Sequence, residues 1–320
     1  MSSNVENMFS VRQIPWHKTG KILQNPPTSK EAIIEAGLDW EVALRDIYWS
    51  KTDTVGTIEY RQIPNRRSLV RLSDETPLAL VSDHYKPLQN KNAFEWFDPI
   101  IQAGKATYET AGSLQNGKKI WILAKLSDDM DIVAGDSIRR YLLLANGHDG
   151  VTSILIQPTP IRVVCENTLN ASLGAGMVQS VWHQGDVVKK MDKIKSLLGM
   201  AEESFTEKKE IFQKMAKVSV NNSTIGNYVT TLIPPAHKTA TDKLKETIRL
   251  SQERIWELHE NGLGADIPGV RGTVWGLYNA AIEYGQYDMA RRVRDIGNYQ
   301  LFGAGASFKQ RAYDKALELI

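Results

Sequence analysis

The spacing of hydrophobic residues along the chain changes near Gly185. Before that residue, hydrophobic and polar side chains mostly alternate, which is typical of β-strands. After it, hydrophobic residues recur about every 3.6 positions, as in amphipathic helices. We therefore predict an α+β protein. Residues 1–185 form a mixed α/β domain with a central antiparallel sheet and packed helices, and residues 186–320 form a mainly helical region.

Helices in the first region are predicted from their capping residues. Thr28–Glu31 has the spacing of a capping box, and Gly37 suits the position just after the end of a helix. Asn90 can cap a second helix over Lys91–Ala103. A third, short helix is expected over Glu166–Leu173.

Alternating residues predict the strands of the sheet. The strongest signal is Asn116 and Gly117 between two alternating runs, because this dipeptide favours a hairpin turn in which both residues take a positive φ. A second pair of strands is joined by Asn146–Gly150. Pro158 and Pro160 are expected to end this ladder, because proline has no N–H to donate. The predicted strands cover residues 40–45, 57–63, 66–72, 108–114, 120–124, 138–145 and 151–157, with a turn at Pro64 and Asn65.

Helical periodicity predicts a long amphipathic stretch in the second region. This stretch, residues 188–215, should bury Ile194, Leu198 and Phe212 against the sheet or across a subunit interface. Further helices are predicted over Thr241–Glu260, Thr273–Tyr284 and Ser307–Ile320.

Composition excludes several classes of protein. The hydrophobic share of 42% and the charged share of 24% are those of an ordinary globular protein. No apolar run approaches the roughly 18 residues of a membrane span, so no membrane partner is expected. Residues 1–7 lack the basic and apolar segments of a secretory signal. The single cysteine, Cys165, excludes an internal disulfide, and we expect a protein of the reducing cytoplasm.

Metal and cofactor sites are not predicted. The 6 histidines lie far apart in sequence, and no cysteine pair or acidic calcium loop accompanies them. Gly174 and Gly176 begin a dinucleotide-like pattern, but Gln179 stands where the third glycine should be. We therefore expect no metal and no cofactor.

The loop Asn146–Gly150 has two interpretations. His148, titrating near neutrality, could act as a general acid or base with Asp149 orienting it. Alternatively, Asn146 and Asp149 cap backbone N–H groups and the glycines adopt left-handed turns.

The segment around Cys165 also has alternative interpretations. Arg162 and Asn167 lie where a strand passes into the predicted short helix, which is a natural position for binding phosphate. A salt bridge and a helix cap would explain the same two residues. Cys165 itself is either a reactive thiol near the start of this helix or a small buried hydrophobic residue.

Basic doublets flank the predicted strands although the net charge is only +2. Lys118 and Lys119 follow the Asn-Gly turn, and Arg139 and Arg140 lie at a strand start. With Trp121 and Tyr141 as stacking platforms, such a sheet could hold a nucleic-acid backbone. The alternative is a solvated charged face with the aromatic residues in the core.

Several strings together resemble the phage/plasmid-like proteins that carry domain of unknown function 932. The central strings are the most distinctive, and Gly147 departs from the small polar residue expected there. The similar strings are Pro15–Gly20, Ala36–Val42, Asn146–Gly150, Pro160–Leu169, Gly272–Tyr284 and Phe302–Leu317. The resemblance implies a mobile-element protein of the bacterial host cytoplasm, from a family with no settled activity. The order of elements over Asn90–Leu173 is also loosely similar in topology to the core of single-strand annealing recombinases.

Three functional hypotheses follow. The first is a DNA-binding protein of a phage or plasmid, with single-strand annealing or recombination as its candidate activity, which forms homo-oligomers and needs no cofactor. Its DNA, preferentially single-stranded, would contact Lys118, Lys119, Trp121, Arg139, Arg140, Tyr141, Arg162 and Asn167. The second is an enzyme acting on nucleic acid or nucleotides, with His148 and Asp149 as catalytic residues. The third is a non-catalytic host-interaction protein.

Overall fold

A computed structural model of the chain describes residues 5–12, 20–162, 179–195, 198–293, 299 and 303–320. The strands are β1 (Val5–Val11), β2 (Lys21–Leu23), β3 (Val42–Thr52), β4 (Ile58–Arg71), β5 (Thr76–Ser82), β6 (Ala106–Leu114), β7 (Lys119–Leu126), β8 (Met130–Val133), β9 (Asp136–Gly147), β10 (Ile154–Arg162) and β11 (Gln179–Val181). The α-helices are α1 (Ser29–Glu35), α2 (Asn90–Glu95), α3 (Asp98–Gln102), α4 (Val187–Lys195), α5 (Leu198–Lys217), α6 (Asn222–Leu232), α7 (Asp242–Asn261), α8 (Val274–Glu283) and α9 (Ala304–Leu317). A π-helical turn over Tyr284–Asp288 and a 3₁₀ turn over Met289–Arg292 follow α8.

The strands form two sheets. The larger has the order β11-β10-β9-β7-β6-β1-β2, with β8 also paired to β9, and the smaller has the order β3-β4-β5. All pairs are antiparallel except β1 with β2, which are parallel. Strands dominate before Gly185 and helices after it. The predicted α+β fold is confirmed.

The register of the large sheet defines two faces. The inner face is apolar and buried, as at Ile122 and its partner Leu144, and it contributes to the main hydrophobic core. We call the opposite face, which includes Trp121 and its partner Ala145, the outer face. The core also includes buried residues of α5 to α9, so side chains from both sides of Gly185 pack together. The division into two domains at that residue stays a prediction.

The predicted helix cap at Thr28 and the predicted hairpin turn at Asn116 and Gly117 are both present in the structure. Thr28 and Glu31 form the predicted capping box, with the Thr28 N–H 2.8 Å from the Glu31 carboxylate. Thr241 and Thr273 cap α7 and α8 through their side chains. At the β6–β7 turn, Asn116 and Gly117 both have positive φ, as predicted.

The predicted turn at Pro64 and Asn65 is wrong. Strand β4 runs continuously through both residues. Instead of reversing the chain, the four residues 63–66 form a bulge opposite the single residue Ile47, and Asn65 takes a φ of 59°. Proline and asparagine occur in bulges as well as in turns. Both structures can use the fixed φ of proline and the positive φ that asparagine tolerates.

The predicted end of the ladder at Pro158 and Pro160 is also wrong. Strand β10 continues to Arg162, and both prolines pair with β9. Strand β11 pairs only with Ile154–Ile156, so β10 is an edge strand beyond that point in the described structure. The prolines lie two residues apart, and both nitrogens therefore point to the same side of the strand, where no ladder hydrogen bond is needed.

The helix predicted over Lys91–Ala103 is divided into α2 and α3, and Asn90 is the first residue of α2 rather than its cap. The stretch 188–215 is likewise covered by α4 and α5. Phe212 is buried as predicted, whereas the side chains of Ile194 and Leu198 lie outside the described residues. The last helix begins at Ala304, earlier than predicted. Within the described residues, no helix combines the length and apolarity that crossing a membrane requires.

Candidate nucleic-acid interface

The outer face of the large sheet brings together four of the eight predicted DNA contacts. Lys119 and Trp121 alternate along β7, and Arg139 and Tyr141 alternate along β9. The register places Trp121 opposite Ala145 and Lys125 opposite Tyr141, so all four residues share one face. They form a stripe along the strands.

The lysines of the outer face have acidic neighbours. The Lys119 ammonium lies 3.7 Å from the Asp149 carboxylate, and the Lys125 ammonium lies 3.6 Å from that of Asp129. Burial raises the pKa of the Glu109 carboxyl, although the positive charges of Lys125 and Arg139 oppose this shift. The outer face is therefore a mixed-charge surface rather than a basic groove.

The aromatic residues of the stripe pack against the sheet. Tyr141 is only 3% exposed, and burial raises the pKa of its hydroxyl. The half-buried Trp121 ring lies over Gly112, where an added Cβ would stand 2.5 Å from the indole. Tyr141 therefore presents no open face for stacking on a base, whereas the Trp121 ring is only partly covered.

The other four predicted contacts are dispersed. Lys118 is exposed in the β6–β7 turn. Arg140 is buried on the inner face, where its guanidinium binds Asp128 and lies 5.7 Å from the centre of the Phe205 ring. Arg162 ends β10. The Arg162 side chain, Asn167, Cys165 and the predicted helix over Glu166–Leu173 lie outside the described residues. The complete groove stays a prediction.

His148 is fully buried, which argues against the interpretation in which its imidazole titrates near neutrality. Its Nε2 lies 2.9 Å from the Asn90 Oδ1 and 3.3 Å from the Asn146 Nδ2. In the tautomer that carries the proton on Nε2, the imidazole donates to Asn90 Oδ1, which can only accept. Burial and, to a smaller extent, the positive charge of His183 lower the pKa of His148 to about 3, although Asp149 opposes the shift. A neutral, enclosed imidazole of this kind is poorly suited to proton transfer at neutral pH.

Asp149 holds its own loop rather than the imidazole. Its carboxylate accepts hydrogen bonds from the N–H groups of Val151 and Thr152 and from the Thr152 hydroxyl, at 2.7–3.0 Å. Burial alone would raise the pKa of Asp149, but these hydrogen bonds and Lys119 lower it. The capping interpretation of Asp149 is therefore confirmed.

The other residues of this loop behave differently from the capping interpretation. Asn146 does not cap the loop, because its Oδ1 accepts no hydrogen bond from any described residue and its Nδ2 donates to the Leu88 carbonyl at 3.1 Å. Gly150 has the expected positive φ, whereas Gly147 does not. A side chain at Gly147 would collide with the Thr152 carbonyl, so close packing explains this glycine.

Three exposed aromatic side chains of the described structure lie close together in the small sheet. Beyond the bulge, β3 and β4 continue as a two-stranded ribbon. We call its residues, Tyr48–Gln62, the arm. Every residue of the arm is exposed, including Tyr60 at 69%, Tyr48 at 54% and Trp49 at 44%. The ion pair between Asp46 and Arg67 lies at its base.

The arm has two chemically different faces. Register and alternation place its side chains in two rows. One face is uncharged and carries Tyr48, Ser50, Thr52, Ile58, Tyr60 and Gln62. The other face is charged and carries Trp49, Lys51, Glu59 and Arg61.

Local contacts order the charged face. The Arg61 guanidinium binds the Glu59 carboxylate at 2.9 and 3.1 Å, and it lies 5.7 Å from the centre of the Trp49 ring. These contacts hold the Trp49 ring in a defined position while leaving much of it exposed.

The arm was not predicted from the sequence. A predicted strand ending at residue 45 and a predicted turn at Pro64 together conceal a long hairpin. One available signal was the occurrence of aromatic residues at both Tyr48 and Trp49. Adjacent residues of a strand face opposite sides, so a strand with one buried face would not carry both.

The described residues contain no group of three or more histidine, cysteine or acidic side chains suited to a metal ion. No curated protein and no solved structure matches the chain. A family model described as a domain of unknown function (DUF932) matches residues 77–302. The match includes the outer face and the His148 loop but not the arm. Because it extends over more than half of the sequence, the chain belongs to the DUF932 family.

Proposed function

We propose that this protein binds single-stranded DNA and that the arm supplies the main contact surface. The observation that carries the proposal is the exposure of Tyr48, Trp49 and Tyr60 on a ribbon that contributes nothing to the core. A two-stranded ribbon is marginally stable in water, and a cluster of exposed rings on a protein surface is typical of an interaction site. A role in binding explains why large aromatic side chains occur there.

The chemistry of the arm suits unpaired bases. Base–aromatic stacking contributes about 1–3 kcal/mol per base and tolerates any sequence, because every base has a flat face. Tyr48 and Tyr60 are diagonal neighbours on the uncharged face, a relation that places residues about 7–8 Å apart. Two bases of one strand can therefore stack on the same face.

Cations lie where a phosphate backbone would pass. Lys51 is exposed on the charged face, and Arg45 and Arg66 are exposed at the base of the arm. Among the described residues, none of these three has a carboxylate within ion-pair distance. They are available to neutralise phosphates, unlike the paired Lys119 and Arg140 of the large sheet.

The resemblance to phage/plasmid-like proteins supports a role on a mobile element in the bacterial host cytoplasm. Annealing of complementary strands is the activity that this binding mode would serve, because an open platform leaves the pairing edges of the bases free. No catalytic residue is needed for pairing. The geometry of His148 and Asp149 gives the enzyme hypothesis no comparable support.

Alanine substitutions in the arm test the proposal. We expect Tyr60→Ala and Trp49→Ala each to weaken binding of a fluorescein-labelled oligothymidylate by about 5- to 150-fold, as loss of one stacked base predicts. Fluorescence anisotropy at several salt concentrations is the measurement. The matched control is Trp182→Ala. It removes an indole that is 65% exposed but follows β11 of the large sheet rather than belonging to the arm. Lys51→Gln should lower the dependence on salt by about one phosphate contact.

Other outcomes would identify other surfaces. Unchanged affinity in both arm variants, with weaker binding in Arg139→Gln, would transfer the site to the outer face. No binding of any oligonucleotide by the folded wild-type protein at low salt would contradict DNA binding and support the host-interaction hypothesis.

A further inference from the structure

We propose that two copies of this chain associate through their arms, by antiparallel pairing of the outer edges of their β4 strands, with Tyr60 at the two-fold axis. This inference goes beyond DNA binding and does not depend on it.

The edge in question is open. Strand β4 pairs with β3 along one side, whereas β5 covers the other side only from Arg66 to Arg71. In the described structure, the outer edge of Ile58–Gln62 therefore has no strand beside it. Its backbone N–H and C=O groups form a template for another strand, and proteins usually block such edges with charge, proline or a covering segment. Here exposed Ile58 and Tyr60 alternate with Glu59 and Arg61, whose charges are of opposite sign.

The sequence at this edge is self-complementary. In an antiparallel pair centred on Tyr60, Glu59 lies opposite Arg61 of the partner subunit, and the reciprocal pair forms on the other side of the axis. Opposite charges in directly facing positions stabilise a sheet, and like charges destabilise it. Centring the pair on Glu59 or on Arg61 would instead place two identical charges face to face. The charges thus select the register centred on Tyr60.

The symmetry of the pair keeps the two faces of the arm distinct. A two-fold axis between antiparallel strands runs perpendicular to the sheet, so residues on one face of a copy join the same face of the other. The uncharged faces with Tyr48 and Tyr60 then form one continuous aromatic surface. On the opposite face, a row of Lys51, Glu59, the partner's Arg61 and the partner's Trp49 crosses all four strands.

Charge reversal tests this interface on the full-length protein without DNA. We expect a concentration-dependent dimer by sedimentation velocity. Glu59→Arg and Arg61→Glu should each raise the dimer dissociation constant by at least about tenfold, because two like-charge contacts replace two opposite-charge contacts. The double variant, Glu59→Arg with Arg61→Glu, restores opposite charges across the axis and should recover most of the affinity. Glu41→Arg, which reverses an exposed charge outside the arm, is the control.

An equimolar mixture of Glu59→Arg and Arg61→Glu separates pairing from damage within the arm, because it restores both opposite-charge contacts across the axis but neither Glu59–Arg61 contact within a chain. Circular dichroism should show that all four variants remain folded, since the substituted side chains are exposed. A wild-type protein that stays monomeric at about 100 µM would overturn the proposal. So would a double variant as weak as the single variants, or a dimer that none of the reversals affects. Each readout is a mass, so failure here leaves the DNA-binding measurements unaffected.

Discussion

Replacing Trp275 by alanine is expected to lower the free energy of unfolding by about 3–5 kcal/mol, as truncation of a large buried aromatic residue does. Trp275 is fully buried in α8, with its ring centre 4.9 Å from that of Phe212. Its indole N–H donates to the carboxylate of Asp136, at the start of β9, at 2.8 Å. The substitution removes core contacts and takes this donor away from a buried acid, which adds to the cost.

Urea unfolding followed by circular dichroism and tryptophan fluorescence measures the effect. Because Trp275 links α8 to the large sheet, we expect one transition, shifted to lower urea for both probes. Trp182→Ala, at an exposed site, should change the stability by less than about 0.5 kcal/mol. Two separate transitions, with only the helical one shifted, would support independent domains divided near Gly185.

Acidification is expected to destabilise the protein through its buried histidines. His148 has a folded-state pKa of about 3, whereas an unfolded histidine titrates near 6.5. The unfolded chain therefore takes up this proton first, and stability falls as the pH drops below about 6.5. For this residue the loss between pH 7 and pH 4.5 is about 2–3 kcal/mol. Burial also lowers the pKa of His183 and His259, which act in the same direction.

Unfolding free energies measured from pH 7 to pH 4.5 check this expectation. His148→Gln keeps a hydrogen-bonding side chain but cannot be protonated, so its stability should depend less steeply on pH than that of the wild type. His84→Gln, at an exposed histidine, should leave the pH dependence unchanged. Equal slopes for His148→Gln and the wild type would show that this histidine does not control the acid sensitivity.

The elements that the sequence predicted well depend on neighbouring residues. The capping box at Thr28 and the turn at Asn116 and Gly117 are fixed by contacts within a few positions, so their chemistry is visible in the sequence. The prolines of β10 were misread because their effect depends on which strands lie beside them. Pairing partners are set by the tertiary fold, and a proline at an edge looks no different in sequence from one that ends a strand.

The candidate site was less predictable for the same reason. The burial of His148 depends on Asn90, which is distant in sequence, so the loop alone suggested a titrating histidine. The doublet Arg139-Arg140 is divided between two faces, and only the register shows that Arg140 enters the core. The arm was missed because an alternating pattern indicates a strand but does not show whether either face is covered.

Shortening the arm is the sharpest test of whether this ribbon binds single-stranded DNA. In this variant an Asn-Gly turn replaces Tyr48–Gln62, a segment whose residues are all exposed, so the melting temperature should stay close to that of the wild type. We measure the affinity of both proteins for a labelled single-stranded oligonucleotide at low salt. We expect the shortened protein to be folded and to have lost nearly all of its single-strand binding. A folded variant that binds within about twofold of the wild type, a difference of about 0.4 kcal/mol, would contradict this expectation.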